Sequence, residues 1–204
     1  MKLNEKDELV SVIPCGEKDN ILLATRLGKA IRFDVHDVRV FVGRGSSGVR
    51  GIRLKPNDFV VSMSLIPNEE KRFVLSVTEN GFGKRTPVDD YRMTNRGGQG
   101  VANIECSTRN GPVVASYVAS EDDQIMLVTN SGKLIRIRVH GGEGDSIRVA
   151  GRKTQGVRLF DVDEGEKVVS VALLNESDDE EEETVAEAIA CLLYTSPSPR
   201  DRFL

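Results

Sequence analysis

The sequence has no tryptophan, and aromatic residues make up 5% of its 204 positions. Proteins that grip single-stranded nucleic acid commonly stack bases on aromatic side chains, so this scarcity argues against that mode. The three cysteines and two histidines are scattered, with no Cys-x-x-Cys pair. Since zinc sites normally show a close ligand pair, we predict no metal site and expect buried thiols in a reducing compartment.

Membrane and enzyme signals are also missing. No apolar run approaches the roughly 20 residues of a membrane span, and the first residues do not form a signal peptide. We find no Ser/His/Asp set, metal-ligand cluster or phosphate-binding loop. The acidic pairs at 89–90 and 122–123 lie in turn-like settings that favour solvated loop acids over an acid/base pair. We therefore expect a soluble chain without catalytic residues of its own.

The net charge of −4 is unevenly distributed. From Asp178 onward the chain has eight acidic and two basic residues, which leaves 24 acidic and 26 basic residues before it. A run of six acidic residues at 178–183 predicts a solvated, disordered tail over 177–190. Residues 191–204 resemble a translated sequencing adapter and are excluded from the fold prediction.

A repeat of about fifty residues organises the body. Gly28, Gly81 and Gly132 each follow an apolar run and recur at intervals of 53 and 51. A glycine-rich motif recurs with the same period, at 43–49, 95–101 and 151–157. A valine-rich motif does so as well, at 60–62, 113–115 and 168–170. A fourth copy of the valine-rich motif, at 9–11, has no preceding partner.

Each unit is predicted to consist of short strands, because its apolar runs are rich in Val, Ile and Leu and end at turn residues. Units of about four strands at this period favour an all-β, propeller-like fold with radially arranged blades. We predict blades at 20–70, 71–122 and 123–176, and assign 1–19 to the final strand of a preceding blade. The chain would then begin within a repeat.

Basic residues recur in phase with the glycines, a pattern that turn chemistry and solubility leave unexplained. Arg32, Arg85 and Arg136 occupy one position of the repeat. A second position is arginine in each unit as well, at Arg44, Arg96 and Arg152. Because repetition places equivalent side chains on equivalent edges, we predict a curved basic track around a disc.

The motifs at 48–54, 80–86, 123–126 and 151–157 resemble the C-terminal domain of DNA gyrase A, over roughly residues 5–176. The resemblance implies a six-bladed β-pinwheel, of which this chain would hold the last three blades. It also implies a rim that wraps duplex DNA, so that the holoenzyme introduces negative supercoils with ATP.

The resemblance further implies what the chain lacks. The family's gyrase box, Gln-Arg-Arg-Gly-Gly-Lys-Gly, lies in the first blade; residues 94–100 resemble a degenerate copy of it. The DNA-cleaving tyrosine lies in a separate N-terminal region, so Tyr91, Tyr117 and Tyr194 have no claim to that role. No cofactor is expected in this chain, since the parent type II topoisomerase uses ATP and Mg²⁺ elsewhere.

The partners implied are duplex DNA, the rest of gyrase A and gyrase B, in the bacterial cytoplasm at the nucleoid and away from membranes. The predicted phosphate contacts are Lys29, Arg32, Arg44, Lys84, Arg85, Arg96, Lys133, Arg136, Arg152 and Lys153. Arg50, Arg53 and Arg138 form a second rank.

Two other functions stay open. The C-terminal domain of the gyrase A counterpart in topoisomerase IV has a related wheel that serves decatenation more than wrapping. A protein-interaction propeller of the regulator-of-chromosome-condensation type also has Gly-rich repeats of this length, and would bind partners without salt-dependent DNA affinity.

Overall fold

The computed structural model describes residues 8–43, 45–67, 72–141 and 146–174, which form eleven β-strands and no α-helix. None of these residues lies in a helix that could span a membrane. Short 3₁₀ turns occupy Val35–Asp37 and Val88–Asp90. The strands are β1 (Asn20–Thr25), β2 (Lys29–Asp34), β3 (Val60–Ile66), β4 (Phe73–Thr78), β5 (Phe82–Pro87), β6 (Val101–Ala102), β7 (Val113–Ala119), β8 (Gln124–Thr129), β9 (Leu134–Arg138), β10 (Val157–Arg158) and β11 (Val168–Leu174).

The strands form three antiparallel sheets, in the orders β3-β1-β2-β6, β10-β5-β4-β7 and β11-β8-β9. Each sheet contains a hairpin and a long strand, β3, β7 or β11, which pairs with the first strand of that hairpin. The all-β, propeller-like prediction is confirmed. The fourth strand of a sheet, however, comes from the following unit: β6 pairs with β2, and β10 pairs with β5.

The three hairpins turn at the glycines that define the repeat. Gly28, Gly81 and Gly132 have φ values of 76°, 75° and 84°, which a residue with a Cβ rarely adopts. Gly28 has a second constraint, because a Cβ there would lie 2.1 Å from the carbonyl oxygen of Ile104 in the next unit. The first glycine of the repeat thus serves both the turn and the contact between units.

The hydrophobic core lies mainly between neighbouring units, where β3 packs on β7 and β7 on β11. One cluster joins the first and second units through Leu22, Ile66, Val74, Tyr91 and Val118. A larger one joins the second and third units and includes Leu75, Val77, Ile125, Leu127 and Val168. Each sheet therefore buries its faces against its neighbours.

Matching backbone bonds repeat at the start of the long strands. The Val113 N–H donates to the Arg26 carbonyl at 2.9 Å, and the Val168 N–H donates to the Glu79 carbonyl at 2.8 Å. The Glu79 carboxylate is also bound by two cations, Arg26 at 2.6 Å and Lys167 at 3.2 Å. One side chain of the second unit thus touches both of its neighbours.

A buried polar network lies inside this stack. The Asn103 side chain, 0% exposed, donates to the Ser76 and Ser116 hydroxyls at 3.0 Å each. Its carbonyl oxygen accepts from the Tyr91 hydroxyl at 2.5 Å. Every polar group at this point has a partner, which buried polar atoms require.

The strand predicted at 9–11 is absent. Residues 8–16 form no strand, and Leu9 and Val10 are 63% and 55% exposed. Residues 8–10 instead line a cavity with the first residues of β3, β7 and β11, and they pair with none of these strands. The predicted tails, 177–190 and 191–204, lie outside the described residues.

A buried carboxylate holds the third hairpin. Glu166, 7% exposed, accepts hydrogen bonds from the Ser131 hydroxyl, the Thr129 hydroxyl at 2.7 Å and the Lys133 ammonium at 2.9 Å. These bonds, that from Ser131 first, lower the pKa of Glu166 to about 2. Asp58 holds the first hairpin in the same way, through the Thr25 hydroxyl at 2.9 Å and the Leu27 N–H at 3.0 Å.

Replacing Asn103 should destabilise the stack more than removing one of its partners. Asn103→Leu leaves the Tyr91 and Ser116 hydroxyls buried without this partner, and we expect a loss of about 3 kcal/mol in unfolding free energy. Tyr91→Phe, the control, removes one hydroxyl, and we expect a loss of about 1 kcal/mol. Urea denaturation measures both; equal losses would contradict the network.

Glu166→Gln should make the protein less stable at neutral pH but not near pH 2. A carboxyl with a lowered folded-state pKa stabilises above its unfolded pKa of about 4.3 and loses this contribution as the pH falls through the folded value. The difference in unfolding free energy between wild type and variant should therefore shrink from about pH 4.3 to about pH 2. Urea denaturation across that range measures it; a constant difference would contradict the assignment.

Candidate nucleic-acid interface

Neighbouring units meet in a joint, where a segment of the following unit packs on the hairpin of the preceding one. Arg85 lies inside the joint between the second and third units. It is 4% exposed, and its Nε donates to the Ile147 carbonyl at 2.6 Å. Its guanidinium lies over the Phe73 ring, 5.1 Å from the centroid. Burial lowers the pKa of this guanidinium, which a nearby Glu121 partly opposes. Arg85 is therefore placed to bind backbone of the following unit and is not accessible to a phosphate.

Arg32 has the same place in the first joint. Its Nη1 donates to the Val88 and Tyr91 carbonyls, both at 3.4 Å, and its side chain is half-buried. Burial lowers the pKa of this guanidinium as well. Arg136, at the same position of the third unit, is exposed, and its Nε donates to the Gln124 side chain at 2.7 Å. The phased arginine thus holds the next unit wherever the structure describes one.

Lys84 points into the protein and is 0% exposed. Its ammonium donates to the Gly151 carbonyl at 2.5 Å. Burial, followed by the charge of Arg152, lowers the pKa of Lys84 to about 8. The first unit has buried Ile31 at the same position of the repeat, so Lys84 replaces a core residue.

The second phased series also binds backbone of the preceding unit. Arg96 donates to the Asp37 carbonyl at 2.7 Å and to the Arg50 carbonyl at 3.1 Å. Arg152 donates to the Ala102 carbonyl at 3.1 Å and lies 6.0 Å from the centre of the Tyr91 ring. Both side chains stay half-exposed, while Arg44 lies outside the described residues.

The predicted lysines differ in their surroundings. Lys133 is exposed but bound to Asp163 at 2.5 Å and to Glu166 at 2.9 Å, and these bonds raise its pKa, that to Asp163 first. Lys29 is half-buried at the outer edge of the first sheet, and Lys153 is exposed. Among the residues that the structure covers, no cluster of His, Cys, Asp and Glu could hold a metal ion.

The first basic patch consists of Lys29, Arg50, Arg53, Lys55 and Arg96. Backbone bonds join its two loops: Arg53 N–H to the Gly98 carbonyl at 2.8 Å, and Gly97 N–H to the Gly51 carbonyl at 2.5 Å. Lys29, Arg53 and Lys55 line one cavity beside β6. The joint between the first two units thus gathers cations at its outer side.

The second basic patch consists of Arg109 and Arg158, which lie beside Phe82 at the outer edge of the second sheet. Their guanidinium carbons lie 4.9 and 5.7 Å from the centroid of that ring. Both side chains are exposed, and Arg158 also pairs with Asp161 at 2.5 Å. Sequence reasoning missed this pair. Arg109 does not recur in phase with the glycines, and Arg158 shares its position of the repeat with Arg50, whereas the second unit has Ala102 there.

The third basic patch consists of Arg136 and Arg138 on β9, which are both exposed and share one face of the strand. The three patches thus belong to successive sheets. They include three of the ten predicted contacts, Lys29, Arg96 and Arg136, whereas Arg32, Lys84 and Arg85 lie within the joints.

Comparisons with solved structures agree with this architecture. The crystal structure of a topoisomerase IV C-terminal domain aligns with a TM-score of 0.81 at 27% identity, over 93% of this chain and 57% of that one. A DNA gyrase A C-terminal domain aligns with a TM-score of 0.73 at 30% identity, over 85% of this chain and 57% of that one.

Sequence comparisons name the family. The DNA gyrase A protein of Rickettsia bellii is 40% identical over 90% of this chain, and that of Staphylococcus epidermidis is 41% identical over 88%. The chain spans 25% and 19% of the length of these two relatives. A family model, "DNA gyrase C-terminal domain, beta-propeller", matches residues 1–16, 19–67, 72–111 and 123–175. The chain belongs to this family of DNA gyrase C-terminal domains.

Proposed function

We propose that this chain binds duplex DNA by its phosphate backbone, along the outer edges of its successive sheets. The observation that carries the proposal is the series of three basic patches, one beside each sheet, whose cations are exposed or half-exposed. Family membership supports the same function. We further propose that the wrapped DNA allows the gyrase holoenzyme to introduce negative supercoils.

The chemistry needed is electrostatic. Each phosphate neutralised by Lys or Arg releases condensed counterions, and this release drives binding without reading bases. Smooth bending of a site of 20–30 base pairs costs on the order of 1–6 kcal/mol, so several contacts must act together. Patches on successive sheets supply such contacts at intervals along a curved path.

The structure changes which residues we assign to this surface. We leave out Arg32, Lys84 and Arg85, because their donors bind backbone carbonyls inside the joints. We also leave out Lys133, whose ammonium is bound by two carboxylates at 2.5 and 2.9 Å. The proposed contacts are Lys29, Arg50, Arg53, Lys55, Arg96, Arg109, Arg136, Arg138, Arg152, Lys153 and Arg158.

The setting proposed is the bacterial cytoplasm, on nucleoid DNA. There the chain would act with the rest of gyrase A and with gyrase B, which would supply DNA cleavage, ATP and Mg²⁺. The contribution of the chain itself would be to set the path of the DNA around the outer edges of its sheets.

A second candidate is the C-terminal domain of topoisomerase IV, which the TM-score of 0.81 favours. Ligation of a nicked plasmid in the presence of the chain distinguishes the two candidates. A change in the linking number of the closed product indicates a chiral wrap and supports gyrase. DNA binding without such a change supports topoisomerase IV.

The affinity of the chain for a duplex of about 40 base pairs should fall steeply with salt. The slope of log affinity against log salt is about −0.9 for each phosphate neutralised, so three occupied patches should give a slope of about −3 or steeper. Fluorescence anisotropy between about 50 and 200 mM salt measures it. A flat response would instead favour the protein-interaction propeller.

Arg50→Ala/Arg53→Ala should weaken DNA binding about equally for unrelated sequences and make the salt slope less steep by about 1 to 2, since two phosphate contacts are lost. Lys167→Ala is the matched control. It removes an exposed cation beside Glu79, where the long strands begin, and should leave the slope unchanged. If the control and the double variant behave alike, the first patch is not a contact surface.

A further inference from the structure

One pair of neighbouring side chains recurs at the outer side of both joints. Met93 and Val149 each form a parallel bridge to the phased arginine of the preceding unit. An arginine precedes each of them in the chain, Arg92 or Arg148. Sequence reasoning gave these four residues no role. We call Arg92–Met93 and Arg148–Val149 the joint pairs.

The joint pairs lie on the outermost segment of each joint. The long strands β3, β7 and β11 pack on one another at the inner side. The segment that carries a joint pair covers the opposite edge of the hairpin, on β2 or β5. Arg96 or Arg152 follows in the same segment. The joint pairs therefore stand beside cations that we propose as DNA contacts.

Both members of each joint pair are open to solvent. Met93 and Val149 are each 45% exposed, and the two arginines before them are exposed as well. Within the described residues, neither of these guanidinium groups makes a hydrogen bond or an ion pair. The second unit has a described neighbour on either side, so the exposure of Met93 persists where units continue in both directions. The joint pairs are thus available to a partner, in contrast to Arg32 and Arg85.

The composition of a joint pair suits a partner that offers both charge and apolar surface. A single exposed apolar residue is ordinary on a protein surface. Here the residue recurs at one structural position, with a cation beside it each time. Phosphates gain nothing from Met or Val, whereas sugars and base edges within a groove of DNA offer apolar contacts.

The shape of the outer segment favours the minor groove over the major groove. The major groove is about 12 Å wide and admits a helix or a two-stranded ribbon, whereas the minor groove is about 6 Å wide. Each joint pair stands on one segment at the edge of a sheet, and the described residues contain no α-helix. Proteins that bind the minor groove combine arginine with an apolar wedge that partly unstacks a base step and bends the duplex.

We propose that each joint pair enters the minor groove of the bound duplex, with its arginine between the two backbones and its apolar side chain against one base step. The inference rests on the proposed function and adds a means of bending to it. Because a joint pair stands at each joint, the duplex is bent at intervals set by the units. The DNA surface then includes groove contacts as well as phosphate contacts.

Met93→Ala/Val149→Ala should reduce the bend of bound DNA and leave the salt slope unchanged, because it removes apolar contacts and no cation. We expect it to bind about tenfold more weakly than wild type. Val169→Ala is the matched control, the same change at a valine of similar exposure, 56%, on the long strand β11. Energy transfer between dyes at the two ends of the duplex measures the bend, and circular dichroism checks that each variant folds.

Inosine in place of guanine tests the choice of groove. It removes the guanine amino group from the minor groove and leaves the major-groove acceptors in place. Wild type should bind the inosine-substituted duplex with a Kd lower by about fivefold or more, since the joint pairs meet no amino group there. Arg92→Ala/Arg148→Ala should bind the two duplexes equally, while Lys167→Ala, the matched control, should keep the preference of wild type.

The outcomes separate this inference from the proposed function. If Met93→Ala/Val149→Ala binds with the usual salt dependence and bends DNA as wild type does, the inference is overturned and the proposed function stands. Equal binding of the two duplexes by wild type has the same meaning. Wild type that shows no salt-dependent binding of DNA would overturn both.

Discussion

The exchange of a short strand between neighbouring units is the constraint on which the rest of the structure depends. The second strand of each hairpin has a free edge, and in the first two units this edge is covered by residues of the following unit. The same joint buries Tyr91 and Asn103, fixes the position of the outer loops, and determines which cations remain at the surface. Fold and binding surface therefore have a common origin.

The joint explains why phased arginines need not be ligand contacts. A guanidinium has several donors in a rigid plane, which suits the free carbonyls of an incoming segment as well as it suits phosphates. Arg32 and Arg85 use those donors on backbone carbonyls. Repetition in sequence therefore identifies what every joint requires, while a binding surface can be built from residues that differ between units, such as Arg109 and Arg158.

Several features could be predicted from the sequence because they are local. The glycines at 28, 81 and 132 require a positive φ, and the apolar runs beside them are those of short strands, so the hairpins and the all-β class follow. The pairing of β6 could not be predicted in this way, because Val101–Ala102 is too short to show which hairpin it joins. The burial of Lys84 could not be predicted either, because its partner, Gly151, lies 67 residues away in another unit. Of the predicted contacts, Lys29, Arg96 and Arg136 do lie in the basic patches. The contacts of Arg109 and Arg158 with the Phe82 ring could not be predicted from the repeat.

Because the second unit both gives a strand to the first unit and receives one from the third, the boundaries of a unit are a matter of convention. An in-frame duplication of one full period, started at any residue, would insert one complete donor and one complete acceptor. A deletion of one period would remove one of each, and the remaining neighbours would still match. The number of blades in such a wheel can thus change by recombination at arbitrary breakpoints, provided that the exchanged length is a whole period.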